Sequence, residues 1–385
     1  MRYGDRAMRV LFFNEGNYGS YIMGLAQGEA AMRVGLATAP EIEARFVQLT
    51  PMGRWATALA TRRIPVLTGR KLGFHAFRWH MVQSLRARSQ LRRELGRWPP
   101  DVVYVKTQSI AFAMPDLMRR VPVVLSIDST VRQWLAMPSW SSANGNAAVT
   151  IVPVQALERR AMRRAALVLA WTAWARRAAE ATAPQAHVVE HHPGIDLQRY
   201  APAVREPRSR ARVLFVGGRF VEKGGEDLVV ALGEKLGRDV ELDLVTPSPV
   251  AERPGVRVHR LEASDPRLLE LYQQADIMVL PTYGDTNPWV LLEAMACGTP
   301  VVSTPVGGIP DMLEGGRAGV LVPYGDAREL ARALDSLLAD PARRAQLAER
   351  ARLRCEQHYD VRKQIVRFEG YLREACNGGE RAVPR

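Results

Sequence analysis

Short apolar runs rich in valine and isoleucine alternate with helical stretches along almost all of this chain, and they do so in two series. In the first half the runs are Val10 to Phe13, Asp101 to Lys106, Val121 to Ile127, Leu167 to Trp171 and Val188-Val189. In the second they are Val213 to Val216, Val240 to Val245, Val256 to Arg260, Ile277 to Leu280, Val301-Val302 and Val320 to Val322. Runs this short, β-branched and free of polar alternation are what strands buried on both faces of a parallel sheet look like. Helical spacing fills the intervals over Tyr21 to Arg33, Gln155 to Arg164, Thr172 to Ala181, Asp227 to Leu236, Asp265 to Gln274, Trp289 to Ala296 and Asp326 to Leu338. Arg/Glu-rich helices continue to Cys376. The pattern predicts an α/β chain made of two doubly wound, Rossmann-like domains. A polar, proline-containing linker, Pro202 to Arg210, separates them. The expected division is a first domain over 1–200, a linker over 201–211, a second domain over 212–360, and a C-terminal helix and tail over 361–385 that packs back on the first domain.

Charge narrows the partners. Lys and Arg number 53 against 40 Asp and Glu, a formal charge of +13. Such a surface favours nucleotides, anionic lipid or nucleic acid. The sequence carries no nucleic-acid module, so nucleic acid is not expected. Three cysteines, Cys297, Cys355 and Cys376, have neither metal-site spacing nor the number for a disulfide framework, which fits a reducing compartment. The apolar run at Val10 to Phe13 is too short for a secretory signal, and no run approaches the ~18 residues of a membrane span. The expectation is a cytoplasmic protein. Segment 54–97 holds eleven basic residues and one acid, Glu94, with Phe74, Phe77, Met81 and Leu85 at helical spacing. That stripe reads either as a core-facing face with a solvated basic back or as a peripheral contact with anionic membrane on its inner face.

Ligands of doubly wound sheets sit past the carboxyl ends of the strands. Three loops at such ends carry candidates. NEGNYGS after the first run brings Gly16 or Gly19 to a phosphate, or is a plain turn. GGRFVEKGG at 217–225 sets Gly218, Arg219 and Lys223 between a strand and a helix, where two cations beside glycine N–H groups suit a diphosphate; by itself it is equally a basic surface loop. The third is PTYGDTNPWVLLEAMACGTPVVSTP from Pro281 to Pro305. Asp285 stands at the mouth of its helix and Glu293 two turns inside. A carboxylate pair so placed suits sugar or ribose hydroxyls; alternatively Asp285 is a helix cap and Glu293 a surface residue. Asp128 follows the run ending at Ile127, at another strand end. Trp134 and Trp140 are aromatic surfaces for a sugar acceptor, or loop packing.

These strings resemble one family. FVGGRFVEKGG at 215–225, LYQQADIMVLPT at 271–282, the stretch from Asp285 to Val302, PVGGIPDML at 305–313 and GVLVPYGD at 319–326 are similar to the donor-binding half of the retaining GT-B glycosyltransferases of family 4. HHPGIDLQRY at 191–200 resembles the family's hinge. The resemblance implies a GT-B fold with a central cleft and transfer of a sugar, with retention, from a nucleotide-diphosphate sugar to an unidentified acceptor: a glycan, a lipid-linked molecule or a small molecule. It implies no cofactor and no metal. By it, Glu293 meets the nucleotide ribose, Asp285 the transferred sugar and Lys223 the diphosphate. Arg219 and the N–H groups around Asn287 and Trp289 would add to the stabilisation of the departing diphosphate, and Asp128 stands near the donor sugar. A non-catalytic nucleotide-sugar-binding protein and a sugar-nucleotide epimerase are the alternatives on the same fold. The chain departs from the family pattern at Asp285, one methylene shorter than glutamate, and at Pro288, where an N–H is lost. Arg219 is also displaced: Gly218 holds the family's arginine position.

Overall fold

The computed structural model describes residues 6–15, 23–61, 75–138, 151–251 and 253–378. Among these residues twelve strands form two six-stranded sheets, every strand pairing parallel. The first sheet contains β1 (Met8–Asn14), β2 (Ile42–Gln48), β3 (Val102–Lys106), β4 (Val123–Ile127), β5 (Leu167–Ala170) and β6 (Val188–Glu190), in the order β2-β1-β3-β4-β5-β6. The second contains β7 (Ala211–Val216), β8 (Val240–Val245), β9 (Val256–His259), β10 (Ile277–Leu280), β11 (Val301–Ser303) and β12 (Val320–Leu321), in the order β12-β11-β10-β7-β8-β9. In each sheet the chain winds outward to one side and then restarts on the other. The reversal falls between β1 and β3 in the first sheet and between β7 and β10 in the second, and it is there that diverging loops open a crevice.

Both faces of the first sheet are covered, which is why its strands read as continuous apolar runs. Leu11, Phe13, Val103, Val105, Leu125 and Ile127 point into one core. Met8, Val10, Phe12, Val102, Tyr104, Val124, Leu167 and Leu169 point into the other, and there Ile365, Phe368 and Leu372 of the last helix, Val361–Gly378, complete the packing. Phe368 is fully buried between Phe12 and Tyr104, with centroids 6.1 and 5.2 Å away. Fully burying each such side chain is worth about 1.5–3 kcal/mol. The C-terminal helix thus belongs by packing to the first sheet, and the chain crosses between the sheets twice. The crossings run side by side: Ile195 N–H donates to Tyr359 O at 2.6 Å and Val361 N–H to Ile195 O at 3.0 Å. Gly194 (φ +86°) is required here, because a Cβ would lie 2.6 Å from the Val361 Cα.

Several expectations shift in detail. The first helix, described over Met23–Leu36, continues past the Arg33 at which the spacing over Tyr21 to Arg33 ended, and residues 21 and 22 lie outside the described set. The helix expected over Asp227 to Leu236 is Gly225–Leu232, stopped by Gly233 at φ +49° and followed by a 3₁₀ turn. Strand β2 was not expected. It is an edge strand, only Ile42 of its seven residues is buried, and IEARFVQ has no apolar run. The long basic helix, His75–Arg97, buries Gln83, Ser84, Ala87 and Leu91, whereas Leu85 is 52% exposed. Its core-facing stripe is therefore small and partly polar, rotated away from the large apolar residues that drew attention; Phe77 still packs on that core, and Phe74 is outside the described residues. No helix among the described residues is long and apolar enough to cross a membrane.

Candidate active site

The loops after β7 and β10 leave adjacent strands at the second sheet's reversal point, so the two sequence motifs meet there. The 217–225 loop wraps against the start of the 281–288 loop. Lys223 N–H donates to Arg219 O at 2.9 Å and Tyr283 N–H to Glu222 O at 3.1 Å. Gly224 is left-handed (φ +76°), and a Cβ there would collide with the Pro281 carbonyl oxygen. Glycine is the residue that lets the two loops touch.

Lys223 Nζ donates to Asp285 Oδ2 at 2.5 Å and to the Gly284 carbonyl at 3.0 Å. The pair is mostly withdrawn from water, 17% and 20% exposed at the side chains. An ammonium has three N–H donors, so one remains after these two contacts. Arg219 Nη1 reaches Glu222 at 3.3 Å on the same loop. Gly218 accepts at its carbonyl from Ser248 Oγ at 3.4 Å. Asp285 does not cap the helix after it. Its Oδ1 accepts from Asn287 N at 3.3 Å, while the cap position of the helix Trp289–Ala296 is Pro288, which offers no side-chain acceptor. Leu291 N–H donates to Pro288 O at 3.1 Å, and the N–H groups of Trp289 and Val290 open the helix with no side-chain cap, the arrangement that favours anions.

Glu293 is not a surface residue. It is 2% exposed, and both oxygens accept from tyrosines: Oε2 from Tyr272 at 2.6 Å, Oε1 from Tyr200 at 3.1 Å. Burial raises its pKa, and the two phenol hydrogen bonds oppose that rise. Tyr200 lies in the crossing segment between the sheets and Tyr272 on the helix Pro266–Gln274, so this acid ties the hinge to the second domain's core.

Across the cleft, Asp128 follows β4. Its Oδ2 accepts from Thr286 Oγ1 at 2.8 Å and its Oδ1 from Ser129 Oγ at 3.1 Å. Burial raises its pKa, against the lowering effect of those hydrogen bonds. Next to it at the end of β3 is Lys106, 5% exposed, 5.3 Å from the Trp171 ring centroid and with its pKa driven down to about 7 by burial. The next residue of the 281–288 loop, Asn287, meets His192 Nε2 at 2.7 Å. Trp289 packs edge-on to Trp171 with centroids 6.2 Å apart. Three of the four residues from Thr286 to Trp289 therefore contact the first domain.

Asp285, Lys223, Arg219, Gly218, Asn287, Trp289 and Asp128 lie in or beside this cleft, while Glu293 lies beneath it in the core. Gly16, Gly19 and Trp140 lie outside the described residues. Trp134 is on the short helix Val131–Ala136, whose cap Thr130 and its Gln133 form a reciprocal capping box. Sequence reading missed Lys106, Thr286, His192 and the two tyrosines. His192, Tyr200 and Tyr272 sat inside quoted motifs, but nothing in the strings said that they would converge.

Two Rossmann-like sheets facing a cleft, with a glycine-rich basic loop and an acid-bearing helix at the reversal point of the second, define the GT-B class of glycosyltransferase. Comparison with known proteins agrees. The family pattern of the group 1 glycosyl transferases matches residues 210–340, and that of glycosyltransferase family 4 matches 42–199, well over half of the chain together. The chain belongs to the family 4, or group 1, glycosyltransferases. It is 33% identical over 210 residues to a D-inositol 3-phosphate glycosyltransferase of Arthrobacter sp. (strain FB24), covering 48% of this chain and 50% of that one. A protein of the same name from Streptomyces bingchenggensis is 32% identical over 180 residues, covering 39% and 40%. The chain thus spans about half the length of the curated relatives it matches. Among solved structures, the α,α-trehalose-phosphate synthase (UDP-forming) of Burkholderia vietnamiensis superposes with TM-score 0.71 at 14% identity over 98% of this chain and 99% of that one. Sucrose-phosphate synthase of Thermosynechococcus elongatus gives 0.70 at 18% over 95% and 98%. Anabaena HepE in complex with UDP-glucose gives 0.61 at 16% over 94% and 100%.

Proposed function

We propose that this protein moves a sugar from a nucleotide-diphosphate sugar to an acceptor, with retention of configuration and without a bound metal. The observation that carries the reading is the meeting of Lys223 and Asp285, 2.5 Å apart, at the reversal point where two motif loops and an uncapped helix N-terminus converge. Breaking the glycosidic bond builds negative charge on the departing diphosphate. The remaining N–H of Lys223, Arg219 and the first-turn N–H groups supply donors to that charge, and each such donor is worth roughly 3–4 kcal/mol in the transition state. Asp285 then serves the sugar, and Glu293 the ribose through the second lone pair of each oxygen. The leaving phosphate takes the acceptor proton, so no separate protein base is needed. That a fold neighbour holds UDP-glucose supports a nucleotide sugar as the ligand.

The acceptor lies on the first domain's side, beside Asp128 and Lys106. Peripheral contact with anionic membrane belongs to the same proposal: Trp55 is 91% exposed beside Arg54 on the basic segment. Sedimentation with phosphatidylglycerol vesicles, lost in Trp55→Ser, tests it. The catalytic reading is tested by release of nucleoside diphosphate from a panel of UDP- and GDP-sugars, with and without an acceptor pool and a chelator. Acceptor-dependent, chelator-insensitive release is expected. Tight donor binding without turnover, or conversion of the donor alone, would overturn transfer.

A further inference from the structure

The hydrogen positions around His192 are fixed by the fold. Gly194 donates its backbone N–H to His192 Nδ1 at 2.9 Å. A ring nitrogen that accepts carries no proton, and a neutral imidazole carries one, so the proton sits on Nε2. The ring is 4% exposed, and burial with Lys106 and His191 nearby drives its pKa down to about 3, which keeps it neutral at physiological pH. Nε2 lies 2.7 Å from the Asn287 side-chain amide. An N–H must meet an acceptor, so the amide turns its oxygen to His192. Which end of an amide is oxygen is settled by such partners. The end turned away, which has no hydrogen-bond partner, is then the NH₂ group. Two residues on, Trp289 Nε1 is also buried and without a partner. Two buried side chains, one on the loop and one at the start of the helix after it, thus hold N–H groups that nothing among the described residues satisfies.

We propose that His192 is a positioning residue which orients the Asn287 amide so that Nδ2, together with Trp289 Nε1, donates to hydroxyl oxygens of the transferred sugar. This rests on the nucleotide-sugar reading above and adds the side chains that select the sugar. The surroundings favour a hydroxyl over a phosphate. His192 packs against Trp171, Trp289 and Tyr359 with centroids 5.8, 5.2 and 5.0 Å away, a largely aromatic wall with Lys106 over the Trp171 ring. The cations suited to a diphosphate, Lys223 and Arg219, hang from a different loop. Both donor atoms are closed to solvent, so the sugar reaches them as the Thr286–Asp128 bond opens, while the His192–Asn287 contact keeps the amide's orientation.

Nitrogen-15 NMR of the imidazole reads the first half directly. Nε2 protonated and Nδ1 bare from pH 6 to 8 is expected; a proton on Nδ1 overturns the orientation, whatever the protein binds. Calorimetric titration reads the second half, using the best binder of a UDP- and GDP-sugar panel and its parent UDP or GDP. Trp289→Phe keeps a ring and removes one N–H; Asn287→Leu keeps the volume and removes the amide. Each is expected to weaken the nucleotide sugar at least tenfold while leaving the nucleoside diphosphate unchanged. Equal loss for both ligands, or no loss in folded Trp289→Phe, overturns the assignment. If the wild type binds UDP or GDP but no sugar conjugate, the sugar-selecting role is refuted. If it binds none of these ligands, the proposed function falls and takes the sugar-selecting role with it, while the NMR still decides the orientation.

Discussion

Glu158 lies under the loop that carries Asp128, and its replacement by glutamine gives a sharp stability prediction. The carboxylate is 0% exposed. Its Oε1 accepts from Gln108 Nε2 at 2.9 Å and from Val131 N at 2.8 Å, and Gln108 Nε2 also donates to Ser129 O at 2.7 Å. Its Oε2 has no partner among the described residues. Burial pushes its pKa from 4.5 up to about 7, against those two hydrogen bonds. The folded protein therefore holds this proton more tightly than the unfolded chain does. Its contribution is fully present below pH 4.5 and is lost as pH rises toward about 7. Each pH unit in that window weakens the fold by about 1.4 kcal/mol, so the whole window costs about 3 kcal/mol. Glu158→Gln keeps an oxygen for Val131 and Gln108, sets an NH₂ where Oε2 stood, and does not ionise. Urea unfolding followed by circular dichroism at pH 5 and pH 8 measures the difference. The variant should gain about 2–3 kcal/mol on wild type between the two pH values. An equal difference at both would refute the claim that Glu158 is buried and titrates upward.

Two further variants probe the cleft. Lys223→Ala removes the cation that bridges Asp285 and Gly284; turnover should fall by about 10²–10³, the cost of one transition-state donor, with the fold retained. Tyr200→Phe removes one of two hydrogen bonds to Glu293 and should cost about 1.5–3 kcal/mol of stability in urea, while donor affinity holds because the ribose uses the other lone pair of that oxygen. A fall in donor affinity there would mean that Tyr200 orients Glu293 for the ribose instead.

The sheets were legible because each buried strand is a run of β-branched residues, and a parallel strand covered on both faces admits little else. Strand β2 escaped because an edge strand with one buried residue has no such signature. The donor-side loops were legible because glycine at 224 and the acids at 285 and 293 fall at fixed places after apolar runs. The partners of those acids were not. Tyr200 lies 93 residues from Glu293, and Thr286 lies 158 from Asp128. Such contacts are set by how two sheets meet, which no local spacing records. The basic helix misled for a related reason: its core-facing side includes Ser84 and Ala87, packed near the 3₁₀ turn Gln108–Ala111, where Ser84 Oγ donates to Ile110 O at 2.9 Å.

The central claim is that the second sheet's reversal point holds the diphosphate of a nucleotide sugar. The most direct measurement is a crystal structure of the protein soaked with the best-binding nucleotide sugar. The account predicts phosphate oxygens within hydrogen-bond reach of Lys223 Nζ and of the first-turn N–H groups of the helix Trp289–Ala296. Phosphates bound elsewhere, with Lys223 still closed on Asp285 and that helix end bare, would contradict it.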